Sequence, residues 1–183
     1  MLKGNKTTSR EHRLSDVSVL TSWFNDQEVV RYLGRPFTPM YAHDEEEWIR
    51  KLSNQKDQVV FMIDNENNVP IGTIGLHKIN PRDQRAILGI AIGDKTHWNK
   101  GYGTDAIKVL LRYGFNTLNL RKITLAVFDF NERGMKCYRK CGFVEAARLR
   151  EEVWIDGAYR DEILMAVFRD EWLKAQESCG STE

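Results

Sequence analysis

No apolar run in this chain approaches the roughly 20 residues that a bilayer-spanning helix needs. The polar start, Met1 to Arg13, also lacks the apolar region of a secretory signal. A cytoplasmic location with no membrane partner is the expectation that follows. Cysteine is scarce, with only Cys137, Cys141 and Cys179. An odd count without a secretory signal argues against a disulfide framework. No histidine lies near Cys137 or Cys141 in sequence, so no metal is expected, and free thiols beside a core are the better reading. Net charge is nearly absent too: 27 Lys and Arg against 26 Asp and Glu leave +1. That is too little for a general basic surface, so nucleic acid is not an expected partner. Neither G-x-x-x-x-G-K-[ST] nor G-x-G-x-x-G occurs, which removes the P-loop and the dinucleotide fingerprint. Repeats, linkers and low-complexity stretches are also missing. The 183 residues therefore read as one domain with a sizeable core, expected over 10–173 with flexible ends at 1–9 and 174–183.

What is present centres on Trp98 to Ala106, Trp-Asn-Lys-Gly-Tyr-Gly-Thr-Asp-Ala. An apolar segment, Ile87 to Ile92, precedes it. An amphipathic helix follows, with Asp105, Lys108, Arg112 and Asn116 on its polar side. The order is strand, glycine-rich loop, helix N-terminus. The first amides of a helix have no internal partners, and the helix dipole places partial positive charge there. Gly101 and Gly103 carry no Cβ, so backbone N–H groups can approach a ligand closely. Lys100 adds a full charge, and His97 lies nearby. The stretch has the makings of a phosphate or pyrophosphate seat, although such a turn also occurs as a plain tight connection.

The remaining pattern is α+β. Ser15-Asp16 is expected to cap a first helix through about Asn25, with Val19, Leu20, Trp23 and Phe24 apolar. Asp26 to Leu33 reads as a second short helical piece, broken by Gly34-Arg35-Pro36. Asp44 to Ser53 reads as a helix that is acidic first and basic later. Strands are expected at Gln58 to Asp64, Pro70 to Ile79, Arg85 to Ile92 and Lys122 to Phe128. Asn131 can cap a short helix to about Lys140, closed by Gly142. Phe143 to Arg148 opens another strand. Asp156-Gly157 is a hairpin turn between Arg150–Ile155 and Tyr159–Phe168. The ends, Met1 to Thr8 and from Gln176 onward, read as loose.

The second informative stretch is Asn131-Glu-Arg-Gly-Met-Lys-Cys-Tyr138-Arg-Lys-Cys-Gly142-Phe143. Together with Gly101-Tyr102-Gly103 it resembles the GNAT superfamily of N-acetyltransferases, over about Arg10 to Leu173. The likeness is greatest to the branch that holds ribosomal-protein N-acetyltransferases and spermidine acetyltransferases. It is carried by Trp98 to Ala106, Tyr113 to Leu120, Asn131 to Phe143 and Asp156-Gly-Ala-Tyr-Arg160. The resemblance implies the GNAT fold: a central mixed, mostly antiparallel sheet splayed in the middle, with helices on both faces. It implies acetyl-CoA as acetyl donor, transferred directly to a primary amine. The loop Trp98, Asn99, Lys100, Gly101, Tyr102, Gly103 and Thr104 would hold the pyrophosphate. The backbone of Ile90, Ala91 and Ile92 would pair with the pantetheine arm, with Asn131 and Lys136 on its other side. Tyr138 would face the departing sulfur.

Three departures stand out. Trp98 replaces a common Gln or Arg, and Asn99 a frequent Gly. Gly134 replaces a usual Ala or Ser, which gives more room. Several members carry a glutamate on the strand before the asparagine, and here Ala126 and Val127 offer none, so the general base does not carry over. Asp129, Glu132, His77 and Glu28 are candidates by approximate position, beside a water chain. A phenol near its reference pKa of about 10 suits protonation of a thiolate. The acceptor expected first is the N-terminal amine of a protein or peptide. A polyamine such as spermidine is the alternative, supported by the acidic Asp44-Glu45-Glu46-Glu47 with Asp26 and Glu28, although such a first turn is also what a solvated helix favours. A non-catalytic acyl-CoA sensor and a homodimer are left open.

Overall fold

Alternation along strand β3 (Val59–Asn65) sorts the molecule into layers. Met62 and Ile63 are neighbours and both fully buried, yet they belong to different cores. Met62 packs with Leu20 and Trp23 of α1 (Val17–Phe24) and Ile49 of α3 (Ala42–Leu52). Ile63 joins the larger core under α4 (Tyr102–Asn116). Successive side chains of a strand point to opposite faces, so helices cover both sides of the sheet. In this computed structural model residues 1–34 and 37–180 are described, with side chains through Glu177. Arg35 and Pro36 of the expected break, and 181–183 of the expected tail, lie outside them.

The sheet has eight strands in the order β1-β2-β3-β4-β5-β6-β8-β7. Its edge is β1 (Leu2–Lys3) and β2 (Thr7–Arg10). Then come β4 (Pro70–Asn80), β5 (Arg85–Ile92), β6 (Lys122–Phe128), β7 (Val144–Ile155) and β8 (Ala158–Phe168). Every pairing is antiparallel except β5 with β6. A parallel pair needs a long crossover, and α4 supplies it. That parallel pairing covers only Arg85–Ile87 against Lys122–Thr124. Beyond it β5 stays with β4 as far as Ile92, while β6 continues beside β8 to Phe128. The two middle strands therefore part, as expected for the splayed sheet, and Leu88–Ile92 present an edge that no described strand covers. The remaining helices are α2 (Gln27–Val30), α5 (Glu132–Lys140) and α6 (Arg169–Gly180). None of the described helices is long and apolar enough to cross a membrane.

Four expectations need correction. The N-terminal stretch is not a loose end. It forms β1 and β2, and between them the carboxylate of Asp105 accepts from the amides of Asn5, Lys6 and Thr7 and from the Thr7 hydroxyl at 2.7–3.0 Å. Asp16 stands at the N-cap position of α1, but its side chain makes no cap bond to that helix. It is buried, and both its oxygens accept from the Arg10 guanidinium at 2.8 and 3.0 Å, while Arg10 Nε reaches Asp64 at 2.6 Å. The two expected pieces after Phe143 are one strand, β7, whose register slips between Glu145 and Ala147 and between Leu149 and Val153. The tail is helical to Gly180, with Trp172 buried against Phe115 at 5.5 Å between ring centroids.

Candidate active site

The splay becomes a site because the chain returns to it twice, at the head of α4 and at the head of α5. After Ile92 the Asp94 carboxylate caps a short 3-10 turn, Lys95–His97, by accepting from Thr96 N at 2.9 Å. Asn99 and Gly101 then take left-handed backbone, with φ of 60 and 87°. The Trp98 indole N–H donates to the Ile92 carbonyl at 2.7 Å and ties this turn to the end of β5. The first helical bond runs from Asp105 N to Gly101 O at 3.0 Å. The amides of Tyr102, Gly103 and Thr104 thus fall in the stretch that a helix leaves without internal acceptors.

A cavity of about 290 Å³ opens there, between the free edge of β5, the head of α4 and α5. Of the residues expected at the site, Ile90, Ala91, Ile92, Trp98, Asn99, Gly101, Tyr102, Gly103, Thr104, Asn131, Lys136 and Tyr138 line it. Lys100 does not; it is exposed, and its carbonyl accepts from Lys6 Nζ at 3.0 Å. The phenol of Tyr102 turns away and donates to the Glu66 carboxylate at 2.9 Å, which leaves the amide as that residue's contribution. His97 is committed as well: it faces Asp94 at 2.9 Å, and Asn65 donates to its other nitrogen at 3.2 Å.

The glycines test whether a cofactor arm fits. A Cβ built on Gly103 would meet nothing nearer than Cys137 Sγ at 3.6 Å, with Ile92 and Ile90 at 3.9 and 4.0 Å. Protein packing does not demand a glycine there. What a side chain would fill is the crevice itself, in the way a ligand's close approach to backbone requires. Gly134 is different and corrects the reading of spare room. A Cβ on it would come within 2.7 Å of the Asn131 amide, whose Oδ1 accepts from Gly134 N at 2.9 Å to cap α5.

Tyr138 reaches the crevice from α5, with Phe143 edge-on behind it at 6.2 Å. Burial pushes its phenol well above the ordinary value, so the expectation of a near-reference acid is corrected. Beside it, the Cys137 thiol is drawn below its ordinary value, chiefly by its hydrogen bond with Cys141, against the opposing effect of burial. Cys137 and Cys141 are both free thiols, as the sequence suggested.

Among the lining residues that the sequence reading did not place at the site are Arg133 and Tyr32. The Arg133 guanidinium lies 3.6 Å from the Trp98 ring centroid and 4.9 Å from that of Tyr32. Arg133 could have been suspected from its place two residues after Asn131. Tyr32 carried no signal at all.

A second cavity, of about 520 Å³, lies on the α1–α3 side of the sheet and shares Leu33, Ile90 and Ala91 with the first. Phe24, Met40 and Trp48 give it apolar walls, and Asp44 and Glu45 bring carboxylates. Asp44 lies 3.2 Å from His43 Nε2, and four more acids of the expected patch are in ion pairs. Glu46 pairs with Arg50 at 2.7 Å, Glu47 with Lys51 at 2.6 Å, and Asp26 and Glu28 with Lys95 at 2.7 and 2.9 Å.

The architecture and both motifs have relatives. Residues 7–144 match the family model described as an acetyltransferase (GNAT) domain. The chain is 31% identical to the uncharacterized N-acetyltransferase p20 of Bacillus licheniformis, over 91% of this chain and 95% of that protein. It is 37% identical to the spermidine N(1)-acetyltransferase of Escherichia coli (strain K12), over 61% of this chain and 59% of that protein. The crystal structure of spermidine N-acetyltransferase from Vibrio cholerae in complex with CoA and spermine superposes with a TM-score of 0.85 at 28% identity, covering 91% of this chain and 98% of that one. With the splayed sheet, the bare amides above it and a family match over most of its length, the chain belongs to the GNAT acetyltransferases and is an acetyl-CoA-dependent N-acetyltransferase.

Proposed function

We propose that the acceptor is a polyamine of the spermidine kind, ahead of the peptide N-terminal amine expected from sequence. The observation that carries this reading is the second cavity. It abuts the donor crevice at Ile90 and Ala91, and it combines apolar walls with the Asp44 and Glu45 carboxylates. A polyamine alternates methylene spacers with cationic nitrogens, and such walls match both. A peptide would also bring amide dipoles, each of which needs a partner when desolvated. Relatives named as spermidine acetyltransferases support the same choice.

In this reading acetyl-CoA supplies an activated thioester, and the protein supplies position. The amides of Tyr102, Gly103 and Thr104 hold the diphosphate at the positive end of α4. The uncovered edge of β5 aligns the pantetheine arm through Ile90 and Ala91, since the Ile92 carbonyl is taken by Trp98. Alignment of two ordered reactants lowers the barrier by about 7 kcal/mol or more in good cases. Tyr138 stays protonated and offers its O–H to the sulfur as charge develops there. Replacing Tyr138 by Phe should lower kcat about a hundredfold and leave the CoA Kd within about twofold.

Thiol release from acetyl-CoA, measured with spermidine, spermine and short unblocked peptides, tests the acceptor. Release with the polyamines and not the peptides is expected. Release with peptides alone overturns the polyamine reading, and CoA binding with no release by any amine would point to a sensor.

A further inference from the structure

The proton that leaves the acceptor nitrogen has four sequence-nominated destinations. Glu28 is held by Lys95 at 2.9 Å, and Glu132 pairs with Lys136 at 3.7 Å. Neither they nor Asp129 lines either cavity, whereas His77, on β4, lines the acceptor cavity. The ring of His77 is also oriented. Its Nδ1 lies 2.8 Å from Gln58 Oε1, and the Gln58 amide nitrogen donates in turn to Gln55 Oε1. An amide oxygen can only accept. The hydrogen therefore sits on Nδ1, and Nε2 keeps a lone pair.

Nε2 is aimed by two absences. Gly75 and Gly89 are cross-strand partners on β4 and β5, and a Cβ on either would stand 3.2 Å from Nε2. The paired glycines let the imidazole lean from β4 across to β5. It lines the acceptor cavity, whose wall continues through Ile90 and Ala91 into the donor crevice.

We propose that His77 Nε2 is the general base that takes the proton from the acceptor amine, directly or through one water. The inference rests on the amine-acetyltransferase reading above. The nitrogen lone pair forms the N–C bond to the thioester carbonyl, and the C–S bond breaks with its electron pair going to sulfur. The N–H proton goes to His77 Nε2, and the leaving sulfur, held by the Tyr138 O–H, takes its proton from solvent. The imidazolium then loses its proton to solvent, so the net change is amine plus thioester to amide plus thiol.

The charges around the ring decide its form. Burial lowers the His77 pKa, the Asp57 carboxylate before β3 opposes that, and Asp44 and Glu45 face the same cavity from α3. Burial is the larger effect, so the ring is neutral, and able to accept, at neutral pH. Because the active form is the neutral one, kcat/KM should fall as pH drops through the pKa of the imidazole.

Two measurements test this on the full-length protein. In nitrogen-15 NMR at pH 7 the His77 ring should be the Nδ1–H tautomer and should titrate below the ordinary imidazole value; an Nε2–H tautomer overturns the proposal whatever the substrate. In kinetics, His77→Gln should lose about a hundredfold in kcat, lose the acid limb of kcat/KM, and keep the wild-type CoA Kd. Imidazole in the buffer should restore part of the rate of His77→Ala. An acid limb that persists in His77→Gln, or a rate within twofold of wild type, overturns it. If peptides are turned over in place of polyamines, the acceptor reading fails alone, and the same pH comparison on the peptide still decides the base.

Discussion

The donor crevice and the acceptor cavity share Ile90 and Ala91, yet they are built differently. The donor side is made largely of backbone: an uncovered strand edge, two left-handed turn residues and the first amides of a helix. Its side chains mostly hold that backbone in place, as Trp98 does on Ile92 and Asn131 on Gly134. The acceptor side is made of side chains from three helical pieces laid over the sheet. A backbone site serves one invariant ligand, and a side-chain site sets which partner enters.

The largest expected effect would break the acceptor side's support. Arg10 is 6% exposed and joins Asp16, just before α1, to Asp64 on β3. Arg10→Met leaves two buried carboxylates facing each other, and removing one partner of a buried ion pair costs about 3–5 kcal/mol. Urea unfolding should show that loss. The cluster also sets a pH dependence. Bonds from Arg10 hold the Asp16 carboxyl below its ordinary value, against burial, so its contribution is present above the unfolded carboxylate pKa and lost as pH falls through the folded one.

His12 acts in the same direction from higher pH. Its ring lies edge-on to Trp48 at 5.2 Å, and burial pulls its pKa down to about 4. Between that value and the ordinary imidazole value of about 6.5 the unfolded chain binds a proton that the folded one refuses. Stability should therefore fall as pH drops through this window, by on the order of 3 kcal/mol. His12→Gln should flatten the melting temperature between those two pH values, and an unchanged slope would remove His12 as its source.

These two predictions concern residues whose partners no local pattern reveals, and that divides what could be read from the sequence. The bounds of β5 and β6, the Asn131 cap and the Gly101 turn follow from short-range rules of periodicity, capping and backbone freedom. The splay needed the family resemblance, because nothing in Ile87–Ile92 itself says that one edge stays open. The N-terminal strands were lost because Thr7 and Asp105 meet across 98 residues and neither is unusual in its own window. Of the acceptor cavity, Asp44, Glu45 and His77 could be nominated singly from the sequence, but Phe24, Trp48 and His77 come from separate elements, and only the fold brings them to one cavity.

On the donor side, filling the crevice should separate binding from folding. Gly103→Val places methyl groups where the backbone now faces open space, with Cys137 Sγ at 3.6 Å the nearest atom to the new Cβ outside the adjoining residues and the helix backbone. CoA affinity should fall about a hundredfold, equivalent to about 2.8 kcal/mol, as read by calorimetry, while the melting temperature stays within a few degrees. A drop in stability without a loss of affinity would instead make Gly103 a packing residue.

The smallest effect sharpens the comparison most, because it asks whether the two sides are separable. Asp44 has a side chain about half exposed, at 51%, and it lines the acceptor cavity with Glu45. An exposed charge contributes modestly, since water and salt screen it. Asp44→Asn should therefore raise the KM for spermidine about threefold to tenfold, with the effect shrinking as salt rises. The CoA Kd should not move, because Asp44 lies outside the donor crevice. If both constants shift together, the shared strand at Ile90 and Ala91 transmits occupancy from one cavity to the other, and the division into a backbone site and a side-chain site would have to give way to a single coupled one.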